Sequence, residues 1–298
     1  MSLSADHFLK AVPDAASIRT VRRVGGGCIS EAYHVEYQDH AGRSSEVFVK
    51  QNREDFRTNF ACERDGLSAI ERVGVVQVPR PIGAAHFDGK SVLALRWIRV
   101  GSPGPTYFAN FGRLLAQHHA ATRTEDLHHG WHVDNFLGAS PQPNQPCSSW
   151  TEFFATQRLD FQLRMAVDGG LADPGLRSDV QAIIDKLDDL SAGRIPRVSL
   201  LHGDLWSGNY LCDEAGGVVL IDPAVYRGCA EAEFGMIELF GACPRVFYES
   251  YLDANPLGDR WRSRVKIYVL YHLLNHLNLF GRGYAGQCRA TAAEILRA

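Results

Sequence analysis

Asp204, Asn209 and Asp222 have the types and spacing that metal-assisted phosphoryl transfer requires. The first two sit in Leu200-Leu201-His202-Gly203-Asp204-Leu205-Trp206-Ser207-Gly208-Asn209, and the third closes the β-rich run Val218-Val219-Leu220-Ile221. A carboxylate such as Asp204 can accept the proton of an attacking hydroxyl. The amide oxygen of Asn209 and the carboxylate of Asp222 are hard ligands suited to Mg²⁺, which takes few protein ligands and completes its shell with phosphates and water. Such a transition state needs alignment and charge neutralisation, so these groups plus a cation suffice. Alone, His-Gly-Asp is a turn and Ile-Asp-Pro a strand end; their joint spacing favours chemistry.

A cation is available upstream. Gly25-Gly26-Gly27-Cys28-Ile29-Ser30 lies between two strand-like runs, where glycines let backbone N–H groups approach phosphate oxygens. The segment matches neither the P-loop nor the dinucleotide glycine pattern. Lys50 closes Glu46-Val47-Phe48-Val49-Lys50, a position comparable to the strand lysine that contacts the α- and β-phosphates in kinases. Glu63, on a helical stretch, could hold it in an ion pair.

These groups need elements to carry them. Ile18 to Val24, Ala32 to Tyr37, Glu46 to Lys50 and Ser91 to Ile98 read as strands. Asp55 to Val73 reads as a helix with Phe56, Phe60, Leu67 and Ile70 on one stripe. Beyond Val100 to Pro105 helices dominate: Tyr107 to Ala121, Trp150 to Val167, Leu176 to Ser191 and Arg262 to Leu279, with a β-rich island from Val198 to Asp222. Gly138 to Ser149, rich in Pro, Gln and Ser, reads as an exposed loop. The layout is α+β, with a β-rich part over 1–99 and a larger helical part over 100–298, and 298 residues suit two folding units.

Composition narrows the function. Thirty-one Lys+Arg against 34 Asp+Glu give a net charge of −3, without the basic stripe of a nucleic-acid binder. Seven scattered cysteines, none in C-x-x-C, suggest neither a disulfide framework nor a zinc ribbon. With no leader pattern and no apolar run of about 18 residues, no membrane association is expected and the expected location is cytoplasmic.

The order of glycine-rich hairpin, VFVK, helix glutamate, connector, HGD-x-x-x-x-N and strand-Asp is similar to the protein-kinase-like fold. His202-Gly203-Asp204 resembles its aminoglycoside and choline kinase branch. More narrowly, the chain resembles the fructosamine kinase (ketosamine-3-kinase) family. The resemblance rests on GGGCISEAY, VFVK, GWHVDNFLG, HGDLWSGN, IDPAVYRGCAEAEFGMIELFG and YHLLNHLNLFGRGY, which span residues 25–284. It implies two lobes, a small N-terminal antiparallel sheet with one main helix and a mainly helical C-terminal lobe, with ATP bound between them.

The activity implied is ATP-dependent phosphorylation of the 3-hydroxyl of a ketosamine whose amine is free lysine, a peptide or a protein. The 3-phosphate is then lost by elimination, which removes the sugar from the amine. By matching position, Asp204 would be the base, Asn209 and Asp222 the Mg²⁺ ligands, and Lys50 with Glu63 the phosphate-binding pair. Gly25, Gly26, Gly27, Cys28, Ile29 and Ser30 would form the phosphate loop, and backbone near Trp97 and Ile98 would meet adenine. Arg96 stands where an acidic residue is expected. Trp206 is either a platform against the sugar or its amine substituent, or a buried aromatic beneath the loop. His272 and His276, four residues apart, would line the acceptor cleft, and Asp134, Glu231 and Glu233 could meet an amine. Asp222-Pro223-Ala224 replaces Asp-Phe-Gly and no Ala-Pro-Glu follows, which speaks against a protein kinase. The rival readings are a kinase of an aminoglycoside, choline or a sugar, and a catalytically silent ATP-binding module. A metal hydrolase built on His202 and Asp204 would leave Lys50 and the glycine-rich segment unexplained.

Overall fold

Alternating apolar residues build a five-stranded antiparallel sheet from β1 (Ala15–Val24), β2 (Glu31–Asp39), β3 (Ser44–Arg53), β4 (Pro81–Phe87) and β5 (Lys90–Arg96), in the order β1-β2-β3-β5-β4. The computed structural model describes residues 9–25, 29–124, 128–195 and 197–297. Gly26, Gly27 and Cys28 of the expected phosphate loop therefore lie outside the described residues. The chain divides into two compact units, Met1–Gly104 with Leu211–Asp222, and Pro105–Tyr210 with Pro223–Ala298.

In the first unit the strand period of two sorts side chains between two faces. Val35, Val47, Val49, Val92 and Ala94 join Ala11 and Val12 in one core. Phe48, Leu93 and Leu95 pack against Phe60 and Leu67 of the helix Arg57–Val73. Lys50 shares the parity of Phe48, and Glu63 is one helical turn from both Phe60 and Leu67, so both polar groups are sent to the sheet–helix interface. Strand β4 was not anticipated, because Val78-Pro79-Arg80-Pro81 reads as punctuation. It is an edge strand, where a proline needs no ladder N–H on its outer side.

The segment Leu211–Asp222 belongs with this unit through backbone pairing. Its strands Tyr210–Cys212 and Val218–Leu220 pair with each other, and Leu220 N–H donates to the Gln77 carbonyl at 2.9 Å. Gly101 N–H donates to the Cys212 carbonyl at 2.8 Å, where a Cβ on residue 101 would stand 2.5 Å from the Asp213 oxygen. Only glycine permits that approach, and the hairpin brings Asp222 into the unit that holds Lys50.

The second unit is mainly helical. Tyr107–Ala121 packs on Arg245–Ala254. Their close approach depends on Gly112, whose Cβ would lie 2.1 Å from the Phe247 oxygen. Trp261–Phe280 buries Ile267, Leu270, Tyr271 and Leu274 on several sides, which explains its lack of a single apolar stripe. Trp150–Phe154, a π-helical turn Ala155–Asp160 and Phe161–Asp168 run on as one helical stretch. The expected helix from Leu176 to Ser191 is split into Pro174–Asp185 and Leu187–Leu190. Glu233–Leu239, Arg245–Ala254 and Ala285–Arg297 are helices that sequence reasoning missed.

The exposed-loop reading of Gly138 to Ser149 is corrected. Strand β7 (Ser140–Gln142) pairs with β6 (Asn135–Leu137), and Gln142 and Asn144 are 1% and 0% exposed. The segment is polar because its amides are spent inside: Gln142 Nε2 donates to Asn135 Oδ1 at 2.7 Å, and Arg158 donates to Asn144 Oδ1 at 2.7 Å. Among the described residues no helix is long and apolar enough to cross a membrane.

Candidate active site

In the first unit Lys50 Nζ lies 2.8 Å from Glu63 Oε1 and 2.5 Å from Asp222 Oδ1, as the sequence pairing of Lys50 with Glu63 suggested. Burial disfavours the Lys50 ammonium, but the two carboxylates outweigh it and hold its pKa well above the usual value. Burial pushes the Glu63 carboxyl up to about 7, with Asp222 adding to the rise against the pull of Lys50. One cation thus faces two carboxylates, a surplus of negative charge that a divalent cation would neutralise. Asp222 adopts a left-handed backbone (φ 57) with its side chain 40% exposed. Such conformers cluster at functional sites.

The rest of the expected nucleotide site lies along the same sheet. Asn52 Nδ2 donates to the Ile29 carbonyl and to Ser30 Oγ, both at 3.0 Å, and so ties the end of the glycine-rich segment to β3. A Cβ on Gly25 would meet nothing within 4 Å. The Trp97 ring packs 4.2 Å from His34 and 6.3 Å from Phe48, and Ile98 is half-buried beside it in the chain. Arg96 is exposed while its N–H donates to the Arg80 carbonyl at 2.8 Å, so its side-chain identity leaves the backbone course intact. His34, Glu36 and Glu46 converge on the same face. Arg22 pairs with Glu36 and Arg99 with Glu46, each at 2.7 Å, which makes that group an ion-pair network.

In the second unit Asp204 sits in a loop closed by Asn209. Asn209 Nδ2 donates to the Asp204 carbonyl at 2.8 Å and to Asp204 Oδ2 at 3.1 Å. Both partners can only accept, so the amide orientation is fixed and Asn209 Oδ1 is turned away from them. Asp204 N–H donates to His202 Nδ1 at 3.3 Å. Gly203 has φ +82, and a Cβ there would stand 2.1 Å from the Ala224 oxygen. This is the backbone reason for glycine inside His-Gly-Asp.

Glu233 anchors this loop, a role the sequence did not reveal. It is 2% exposed and accepts the N–H groups of His202 at 2.7 Å and Gly203 at 3.0 Å. Burial works to raise its pKa, yet the His119 and His202 contacts outweigh it and hold the carboxyl below the usual range. Glu231 is 1% exposed and paired to Arg264 at 2.6 Å. The reading of Glu231 and Glu233 as amine contacts is therefore corrected: both carboxylates are committed inside the unit. Asp134 is exposed and accepts the Asn144 N–H at 2.7 Å.

A second support was also missed. Ala224 N–H donates to the His202 carbonyl at 2.9 Å, and the Ala224 carbonyl accepts from Gln142 Nε2 at 3.1 Å. Asn135 Nδ2 donates to the Val225 carbonyl at 2.7 Å, and Tyr271 Oη donates to Gln142 Oε1 at 2.8 Å. His272 is 3% exposed, and burial lowers its pKa to about 3, so it is a neutral packing group. His276 is half-buried. The Trp206 indole folds over Gly208, where a Cβ would lie 2.5 Å from the ring, and packs 5.6 Å from the Phe240 ring. Trp206 is half-buried, so its ring is partly accessible.

The fold is protein-kinase-like, and by its relatives the chain is a phosphotransferase acting on a hydroxyl group. That fold is shared with an aminoglycoside phosphotransferase structure at TM-score 0.62 and 15% identity, covering 99% of this chain and 98% of that one. A family model described as fructosamine kinase matches residues 1–298. The chain belongs to the fructosamine kinase family. It is 37% identical over 282 residues to a ketoamine kinase homologue of Synechocystis sp., covering 94% of this chain and 91% of the relative. It is 37% identical over 284 residues to the chloroplastic protein-ribulosamine 3-kinase of Arabidopsis thaliana, covering 95% and 84%. A crystal structure of a fructosamine-3-kinase homologue from Thermobifida fusca superposes with TM-score 0.85 at 33% identity, covering 99% and 98%.

Proposed function

We propose that the protein uses ATP and Mg²⁺ to phosphorylate the 3-hydroxyl of ketosamines, free or carried on a peptide or protein, in the cytoplasm. Asp204, held by Asn209 in a loop of this family's sequence, is the observation that carries the reading. Its carboxylate accepts the hydroxyl proton as the sugar oxygen bonds to the γ-phosphorus and the bond to ADP breaks. Lys50 and the Gly25 to Ser30 segment bind phosphates, Glu63 positions Lys50, and backbone at Trp97 and Ile98 receives adenine. Asp222, with its surplus charge beside Lys50, and the Oδ1 of Asn209 each fit a hard divalent cation. When bound, Mg²⁺ supplies neutralisation of charge on the phosphoryl oxygens. The phosphorylated sugar then leaves the amine by elimination, a deglycation.

The test is an ATP-consumption assay with Mg²⁺ on ribulosyl-lysine, fructosyl-lysine, free sugars, choline and an aminoglycoside. Turnover confined to ketosamines, with product phosphorylated at the 3-hydroxyl, is the expected result. Turnover on choline or an aminoglycoside alone would discard the ketosamine reading and keep the catalytic residues. ATP binding without turnover on any acceptor would favour the silent module.

A further inference from the structure

One cavity of the second unit shares no residue with the Asp204 loop or its supports. It has a volume of about 240 Å³, and His129, Ser149, Thr151, Asp188 and Arg194 are among its lining residues. At about 30 Å³ per water molecule, that is room for a molecule of several heavy atoms. Two lining side chains hold polar atoms that the fold encloses without pairing. His129 is 4% exposed, packs 5.2 Å from the Trp150 ring and 6.2 Å from Phe153, and its Nδ1 has no hydrogen-bond partner among the described residues. Arg194 Nε is enclosed in the same way. Enclosed polar atoms are ordinarily paired, and leaving one unpaired costs free energy that a ligand can restore.

The fold fixes these groups beforehand. His129 exchanges backbone hydrogen bonds with Cys147 at 2.8 and 3.1 Å. Arg264, anchored on Glu231, donates to the Ala192 carbonyl at 3.1 Å in the turn that leads to Arg194. Ser149 Oγ accepts the Glu152 N–H at 3.2 Å and lies 3.1 Å from Thr151 Oγ1. One hydroxyl proton is spent between the two oxygens, which leaves the second to donate elsewhere.

The charges define the ligand class. Arg194 and Asp188 line one cavity, yet among the described residues neither forms an ion pair, with the other or with a third group. The Cys229 thiol beside Arg194 is pushed up to about 11 by burial, so it supplies no counter-charge. A simple anion would leave Asp188 facing a like charge, and a simple amine would do the same to Arg194. A molecule carrying both charges answers both residues.

We propose that this cavity binds a small zwitterion of the α-amino acid class, with its carboxylate on Arg194, His129 and the Ser149–Thr151 hydroxyls and its ammonium on Asp188. Arg194 Nε and His129 Nδ1 donate to the carboxylate, which pairs both enclosed atoms. This binding does not depend on the ketosamine reading.

The test is calorimetric titration of the full chain with L-alanine and L-glutamine, with propionate and propylamine as carriers of one charge each, and with inorganic phosphate. The amino acids are expected to bind about tenfold or more tightly than propionate, propylamine or phosphate, the scale of one lost charge-assisted hydrogen bond. Arg194→Met and Asp188→Asn should each weaken alanine binding by a similar factor, with KM for ATP unchanged. Where a variant does not fold, the preference of the wild-type protein decides alone. Three results would overturn the site: no amino-acid binding at millimolar concentration, phosphate or propionate bound as tightly as the amino acids, or alanine binding untouched by both substitutions.

Discussion

Around Lys50 the chain places one ammonium between two carboxylates, whereas around Asp204 it fixes a loop with backbone N–H groups and buried amides. The first region is organised by charge and carries a surplus of it. In the second, the His202–Gly203 backbone is held by one buried carboxylate, Glu233, and the Ala224–Val225 backbone by the neutral amides Gln142 and Asn135. A phosphate-binding lysine must stay cationic yet yield its carboxylates to other ligands, so a crowded ion cluster suits it. A base must keep one position through turnover, and directional hydrogen bonds to the backbone provide that without adding charge beside it.

The largest expected difference comes from removing the cation. Lys50→Ala should lower kcat/KM for ATP by about 10²- to 10³-fold, the scale of losing one electrostatic contact to a transferring group. Nucleotide titration and steady-state kinetics measure this, and an unchanged kcat/KM for ATP would dissolve the charge-organised half of the comparison. Glu233→Gln should instead act on stability, by about 2–3 kcal/mol, because two backbone donors share one carboxylate there. Thermal unfolding and KM for ATP sharpen the contrast: melting temperature falls while nucleotide affinity stays.

Gln142→Leu, which removes donors to Asn135 and Ala224 and the acceptor of Tyr271, should cost about 1–3 kcal/mol and lower kcat more than it raises KM. A variant as stable and active as wild type would show that the amide network does not support the loop.

The legible part of the molecule follows from these two kinds of organisation. Lys50, Glu63, Asp204, Asn209 and Asp222 are charged or polar residues at informative spacings, which singled them out as candidates, and the Lys50–Glu63 pair read from the sequence is present at 2.8 Å. Tyr107–Ala121 was also readable, because one buried face repeats along it. Glu233 was read as an amine contact because an acidic residue in such a segment reads as a surface residue; nothing local reveals that His202 and Gly203 donate to it. Gln142 and Asn144 were misread for a related reason, since Pro-, Gln- and Ser-rich segments are usually solvated. Their burial depends on Arg158, Asn135 and Ala224, partners distant in sequence. The helix Trp261–Phe280 was found but not its environment, because burial on several sides erases the periodic signal.

Acid stability carries the smallest effect per group, and the buried histidines of the second unit act against Glu63 of the first, whose raised pKa makes its contribution grow as pH falls. Burial lowers the pKa of His118 and His129 to about 4 and that of His272 to about 3. In the unfolded chain each would bind a proton near pH 6.5, so the unfolded state takes up more protons below that pH. The histidine contribution is therefore full above about pH 6.5 and declines as pH falls toward the folded values, by on the order of 1–2 kcal/mol per histidine at pH 5. Denaturant midpoints between pH 7.5 and 5 measure the decline, and His272→Phe should reduce its slope. A slope unchanged in His272→Phe would place that ring in contact with water.

The most direct test of the central claim is phosphorylation of a ketosamine by wild-type and Asp204→Asn protein, with nucleotide binding measured on both. Wild type should yield the 3-phosphate, while Asp204→Asn should bind ATP normally and lose about 10²- to 10⁴-fold in kcat. An Asp204→Asn protein that turns over at the wild-type rate would contradict the assignment of the base.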